Sequence, residues 1–245
     1  MALELHTYPD DATLARQAAS RWLGDLRMHQ KNNTAGSAYC VALSGGRIAR
    51  NFFSEIAKQG ASERALFDPV HFFWADERCV PPTDPESNYA IAKELLFDPL
   101  KIPQAQIHRL RGEENETLAL HDALENITKW GTPEKGGGEP IFDMIFLGLG
   151  ENGHVASLFP EESEAEMADP AFYRAVTTTK PPPRRLTLGY GPIINALQVW
   201  VLVAGAGKQG ALKDSLAPSG KTPLARVLKQ RGKTEITEIF SDVQI

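Results

Sequence analysis

Residues 142–160 read FDMIFLGLGENGHVASLFP. An apolar run, Met144 to Leu147, ends in Gly148 and Gly150, and His154 follows within four residues. A short run of this kind, stopped by glycines, predicts a buried strand. The glycines let the backbone turn sharply and approach a ligand. The histidine is then delivered to a strand's carboxyl end, where open α/β sheets bind their substrates. Its reference pKa near 6.5 suits a general base.

The pattern recurs. Strands predicted over residues 38–43, 70–75 and 199–204 end in Ser44-Gly45-Gly46, Asp76-Glu77-Arg78 and Gly205-Ala206-Gly207-Lys208. Between them lie helical stretches. Asp10 or Asp11 can cap one whose stripe is Leu14, Ala18, Trp22 and Leu26. A second carries Ile48, Phe52 and Ile56 and stops at Gly60. Further helices are expected near residues 89–97, 117–130 and 224–229, with strands at 186–188 and 235–240. Residues 31–37 read as a polar loop, and Gly136-Gly137-Gly138 as a linker. Alternation of this kind predicts one α/β domain over residues 1–245: a three-layer α/β/α sandwich around a mostly parallel, Rossmann-like sheet, with helices on both faces. In such a sheet the four strand ends share one edge. A single site built from four loops is therefore expected, with a base, cations and a glycine-rich anion cradle.

Composition sets the remaining bounds. The 245 residues carry a net charge of -5, which argues against general nucleic-acid binding. No apolar run approaches the roughly 20 residues of a bilayer span, and the N-terminus lacks a signal-peptide pattern. Two cysteines, Cys40 and Cys79, give neither a disulfide framework nor a zinc pattern, so a reducing, cytoplasmic setting is expected. His6, His29, His71, His108 and His121 share no spacing, so no metal is expected. Ser44-Gly45-Gly46 is neither a dinucleotide fingerprint nor a P-loop, and Ser157 lacks a nucleophile-elbow context. Lys208 at a helix start is electrostatically unfavourable unless an anion visits.

Taken together, three blocks resemble the 6-phosphogluconolactonase family, within the superfamily of glucosamine-6-phosphate deaminase and ribose-5-phosphate isomerase. They are WADERCVP with Ser87-Asn88-Tyr89, GLGENGHVASLFP, and the later RLTL, Asn195-Ala196 and Gly205-Ala206-Gly207-Lys208, spread over residues 44–208. The resemblance implies hydrolysis of 6-phospho-D-glucono-1,5-lactone to 6-phospho-D-gluconate, the second step of the oxidative pentose phosphate pathway, with no cofactor. It implies His154 as the base that activates water, with Asn152 orienting it. Loop N–H groups near Gly45, Gly46 and Gly150 are implied as oxyanion donors, and Arg78, Arg185 and Lys208 as ligands of phosphate or sugar oxygens. Asp76 and Asn88 are implied as loop organisers or hydroxyl contacts. The partner implied is a small phosphorylated sugar lactone, bound by a monomer or small homo-oligomer.

Two positions depart from the family pattern. After Ser44-Gly45-Gly46 the family continues with Ser/Thr, Thr and Pro, whereas this chain has Arg47-Ile48-Ala49; Arg47 is expected to supply charge instead. Two residues before the histidine the family has Asp, and this chain has Asn152. An amide can orient the ring but cannot stabilise an imidazolium by charge, so reduced turnover is expected, raised by Asn152→Asp. In a serine-protease triad the same exchange costs about 10⁴-fold. The rival readings are a noncatalytic sugar-phosphate binder and an aminosugar-phosphate isomerase–deaminase. Relatives of the latter place Ala-Phe-Asn-Glu-Pro where this chain has Ala156-Ser157-Leu158-Phe159-Pro160.

Overall fold

The computed structural model describes residues 2–32, 37–133, 138–232 and 235–245. Strand β1 (Ala2–Thr7) leads to helix α1 (Asp11–Asn32), whose first turn is capped by Asp10, its Oδ1 accepting from the Thr13 N–H at 2.6 Å. Then come β2 (Tyr39–Leu43), α2 (Arg47–Gly60), β3 (Val70–Trp74) and the short β4 (Asp76–Arg78). Helix α3 (Asn88–Ala92) widens into a single π turn before the last turn, α4 (Asp98–Leu100). Helix α5 (Glu116–Trp130) is capped by Asn115 and precedes a short antiparallel pair of two-residue strands, β5 (Thr132–Pro133) and β6 (Pro140–Ile141). Next are β7 (Met144–Gly148), α6 (Glu164–Met167), β8 (Tyr173–Thr177), β9 (Arg184–Leu188) and α7 (Tyr190–Asn195). The chain closes with β10 (Gln198–Val203), α8 (Gln209–Leu216), α9 (Pro223–Gln230) and β11 (Ile236–Ser241).

Among the described residues six strands form one parallel sheet in the order β1-β11-β10-β7-β2-β3. The four strands whose ends carry glycine or charge clusters are neighbours in it: β10, β7, β2 and β3. Their burial explains their composition. Apart from His71 in β3 and Gln198 at the start of β10, each is apolar because layers cover both faces. On one face Trp22 of α1 and Phe52 of α2 pack edge-on against Phe146, with Trp200 beside it. On the other, Phe142 meets Phe73 and Phe172, and the Tyr173 hydroxyl donates to the Trp74 carbonyl. The α/β architecture read from the sequence is the one observed.

Four details differ from the sequence reading. Residues 31 and 32 continue α1 rather than opening a loop, while residues 33–36 of that loop, and Gly136 and Gly137 of the expected linker, lie outside the described residues. The π turn and α4 carry the helix expected near residues 89–97 on to Leu100. The strand at 186–188 is not in the main sheet. It belongs to β9, which pairs antiparallel with β8 and with β4. Asp76-Glu77-Arg78 is therefore a strand rather than a loop, because Glu77 opposes Leu186 and Arg78 opposes Arg185. This small sheet turns Arg78 and Arg185 toward the edge where the four parallel strands end.

Candidate active site

That edge holds a cavity of about 550 Å³. Ten of the twelve residues singled out from sequence line it: Ser44, Gly45, Gly46, Arg47, Asp76, Arg78, Gly150, His154, Arg185 and Lys208. Asn152 and Asn88 do not, and each lies just behind a residue that does.

His154 is placed by the turn after β7. The Gly150 N–H donates to the His154 carbonyl at 2.8 Å, and the Gly153 N–H to the Gly150 carbonyl at 2.9 Å. Gly153 has φ +82, and a side chain there would strike Thr222. Gly150 is needed for another reason: a Cβ on it would lie 1.8 Å from His154 Nδ1. The imidazole stacks on Phe159, with ring centroids 4.8 Å apart. Its Nδ1 is 2.6 Å from Asn152 Oδ1. Because the Gly150 N–H is already committed to the His154 carbonyl, it is not available as an oxyanion donor, which corrects that part of the sequence reading.

Charge around the ring is one-sided. Burial pushes the imidazole's pKa down to about 3, helped by Lys180, Lys208, Arg185 and Arg78. A neutral ring is thus held among cations through the whole physiological range, with a lone pair available to take a proton. Lys180, which opens the run Lys180-Pro181-Pro182-Pro183, carries no motif that singles it out in the sequence. Its Nζ lies 3.3 Å from Asn152 Oδ1 and 3.4 Å from His154 Nδ1. What brings it there is the buried Arg185, 5% exposed, whose Nε and Nη2 donate to the carbonyls of Pro182, Pro181 and Lys180. Phe159 enters the sequence reading only as part of the GLGENGHVASLFP block. It follows His154 by five residues, a separation that no helix or strand period marks.

The anion cradle faces this ring. Helix α2 is preceded at its N-cap by Gly46, φ +100, without a side-chain cap. The Gly45 and Gly46 N–H groups make no hydrogen bond among the described residues, so the positive helix end stays open to an anion. Ser44 Oγ is buried without a partner. Arg47 reaches across to the β10 loop, where its Nη2 donates to the Ala204 carbonyl at 3.2 Å. It passes so close to Gly205, φ +102, that a Cβ there would lie 2.7 Å from Nη2. Lys208 sits near it; burial lowers its pKa, opposed by Glu151 and assisted by Lys180 and Arg47.

Asp76 and Asn88 form the floor. Asp76 Oδ2 accepts from Ser157 Oγ at 2.7 Å, and Asn88 Nδ2 donates to the Asp76 carbonyl at 2.8 Å. Asn88 is 1% exposed and occupies the space a Gly45 side chain would need, so it organises the loop from behind. Glu77, 3% exposed, gathers the N–H groups of Arg78, Asn88 and Tyr89 and the Ser87 hydroxyl at 2.7–3.0 Å. It ties β4 to α3 and so fixes Arg78, whose Nη1 donates to the Glu86 carbonyl.

Elsewhere, His71 Nδ1 and His108 Nε2 are 2.8 Å apart, stacked beside Trp130, and His6 pairs with Glu238 across β1 and β11. No helix among the described residues is long and apolar enough to cross a membrane.

Comparison with known proteins gives this geometry a context. Residues 9–236 match the family model described as glucosamine-6-phosphate isomerases/6-phosphogluconolactonase. The 6-phosphogluconolactonase of Haemophilus influenzae is 33% identical over 205 residues, covering 82% of this chain and 84% of that protein. That of Streptomyces coelicolor is 30% identical over 224 residues, covering 89% and 84%. Among solved structures, 6-phosphogluconolactonase from Trypanosoma cruzi superposes with a TM-score of 0.83 at 25% identity, covering 98% of this chain and 96% of that one.

Proposed function

The chain belongs to the glucosamine-6-phosphate isomerase/6-phosphogluconolactonase family, and from that premise we propose how its cavity performs the lactonase reaction. The chain is a lactone hydrolase, a 6-phosphogluconolactonase by its relatives, acting on 6-phospho-D-glucono-1,5-lactone in the pentose phosphate pathway. The observation that carries the reading is His154: a neutral imidazole, tied at Nδ1 and ringed by cations, in the cavity where four parallel strands end.

In this reading Nε2 of His154 takes a proton from a water as its oxygen attacks the lactone carbonyl carbon. The carbonyl π pair moves onto oxygen, and the oxyanion meets the free N–H groups of Gly45 and Gly46. When the tetrahedral centre collapses, the bond from the carbonyl carbon to the ring oxygen breaks. The imidazolium returns its proton to that oxygen, giving the hydroxy acid and a neutral base. The α2 N-terminus, Arg47 and Lys208 hold the phosphate dianion, while Arg78 and Arg185 face the sugar oxygens. We place this chemistry in the cytoplasm, in keeping with the free thiols of Cys40 and Cys79.

The test is a continuous lactonase assay on purified protein, corrected for spontaneous hydrolysis of the lactone. His154→Ala is expected to lower kcat by about 10²–10⁴-fold, the range for a lost general base. A His154→Ala rate equal to that of the parent overturns the assignment. Ammonia release from glucosamine 6-phosphate is expected to stay at background.

A further inference from the structure

Asn152 is an ambiguous partner for a catalytic imidazole. A carboxylate offers only acceptors, so it forces the facing ring nitrogen to carry the proton. An amide offers an acceptor at one end and donors at the other, and the two ends have nearly the same shape. With the oxygen inward, Nδ1–H donates to Oδ1 and the Nε2 lone pair is free to act as the base. With the NH₂ inward, Nδ1 becomes the acceptor, Nε2 carries the proton, and the ring cannot take one from water. The choice between the two decides whether His154 is competent.

The 2.6 Å contact between Asn152 and Nδ1 fits either arrangement by itself. Lys180 Nζ breaks the tie. It lies 3.3 Å from the inward amide atom and 3.4 Å from Nδ1. An ammonium group has three donors and no acceptor. If the inward atom is oxygen, it accepts from both Nδ1–H and Lys180, one for each of its lone pairs. If it is nitrogen, the amide NH₂ and Lys180 compete for the single in-plane lone pair of Nδ1; each arrangement sets Lys180 beside one other donor, so the number of acceptor lone pairs decides. The backbone that carries Lys180 is held independently of the amide, since its carbonyl and those of Pro181 and Pro182 are bound by Arg185. The other charges near the ring, Lys208, Arg185 and Arg78, act on it through space and, among the described residues, make no hydrogen bond to the amide.

We propose that Lys180 is a positioning residue that orients the Asn152 amide and thereby sets the base-competent tautomer of His154. The proposal rests on His154 being the base. It also accounts for how a chain with asparagine at position 152 keeps a usable base: the direction that a carboxylate supplies alone is here divided between an amide and a cation.

The test reads the tautomer and the rate separately. In ¹⁵N NMR of the full chain near pH 7.5, with His154 assigned by its disappearance in His154→Gln, the parent is expected to carry its proton on Nδ1. Lys180→Met is expected to move population to the Nε2–H form, and Lys180→Arg, which keeps a cationic donor, to restore it. Kinetically, Lys180→Met is expected to lower kcat by about two- to fivefold, the loss that follows when the equilibrium between the two arrangements shifts by about tenfold from a parent ratio between about 8:1 and 1:1. In an Asn152→Asp background, where the partner can only accept, the same change is expected to leave kcat at high pH within about twofold. An unchanged His154 tautomer in Lys180→Met overturns the proposal. So does an equal loss in both backgrounds, or a loss confined to KM, either of which makes Lys180 a substrate contact. Failure of the underlying assignment looks different: His154→Gln then keeps its rate, whatever the tautomer does.

Discussion

Replacing Asn152 by Asp leaves the shape of the site almost unchanged and alters one charge, so its effect can be worked from the geometry. The oxygen at position 152 lies 2.6 Å from Nδ1, which puts a carboxylate's charge about 4 Å from that of an imidazolium. At an effective dielectric near 20 that attraction is about 4 kcal/mol, or about three pKa units. Lys180, already 3.3 Å from the same oxygen, neutralises part of the new charge. A net rise of about two units moves His154 from about 3 to about 5.

Two consequences separate in a pH–rate profile. The acid limb of kcat/KM rises by about two pH units, so the variant loses activity below about pH 5.5 where the parent remains flat. On the neutral plateau the variant is faster by about tenfold, if about half of the added basicity is expressed in the transition state. Stability follows the same linkage. In the parent the folded-state pKa of His154 is depressed, so the unfolded chain binds that proton first, and stability falls as pH drops from about 6.5 toward 3. In Asn152→Asp the window for this group shrinks to between about 6.5 and 5. The assay is lactone hydrolysis from pH 4 to 8, with the uncatalysed rate subtracted at each point, beside urea melts at the same pH values. Superimposable pH profiles for parent and variant, or a plateau that does not rise, refute the electrostatic argument.

Other perturbations test the scaffold. Gly150→Ala puts a methyl 1.8 Å from His154 Nδ1, so kcat is expected to fall at least about a hundredfold while far-UV circular dichroism keeps its native shape. Glu77→Gln sets an amide NH₂ among the four donors that Glu77 now satisfies. A loss of about 2–4 kcal/mol in chemical denaturation is expected. Lys208→Met removes a cation from the anion cradle, so KM is expected to rise about tenfold or more with kcat changed much less, and inhibition by inorganic phosphate to weaken in parallel. A KM equal to the parent's relocates the phosphate toward Arg78 and Arg185.

The parts of this site that could be read from sequence are those fixed by the parallel sheet. Glycines after Leu43, Leu147 and Val203 are legible because a buried strand leaves an unbroken apolar run, and strand order then places those ends side by side. The small antiparallel sheet was not legible for the opposite reason. Asp76-Glu77-Arg78 carries no strand propensity and is extended because it pairs with β9, while β8 is only half covered and reads YRAVT. Glu77 illustrates the cost of missing that pairing. In a loop it is one more solvated acid, but inside the sheet corner it is 3% exposed and orders four donors.

Lys180 is the sharper case. Sequence shows the asparagine where a carboxylate is expected, and from that alone the base should be poorly directed. Nothing local to Lys180 says that a chain 26 residues on returns to within 3.4 Å of the same imidazole. That return depends on one buried guanidinium gathering three successive carbonyls, an interaction between Arg185 and backbone groups that no residue pattern encodes. A substitution at position 152 therefore has to be judged with position 180. An amide still lacks the charge that would stabilise the imidazolium, but its second weakness, two ends of nearly the same shape, is removed here by an ammonium that decides which end faces the ring.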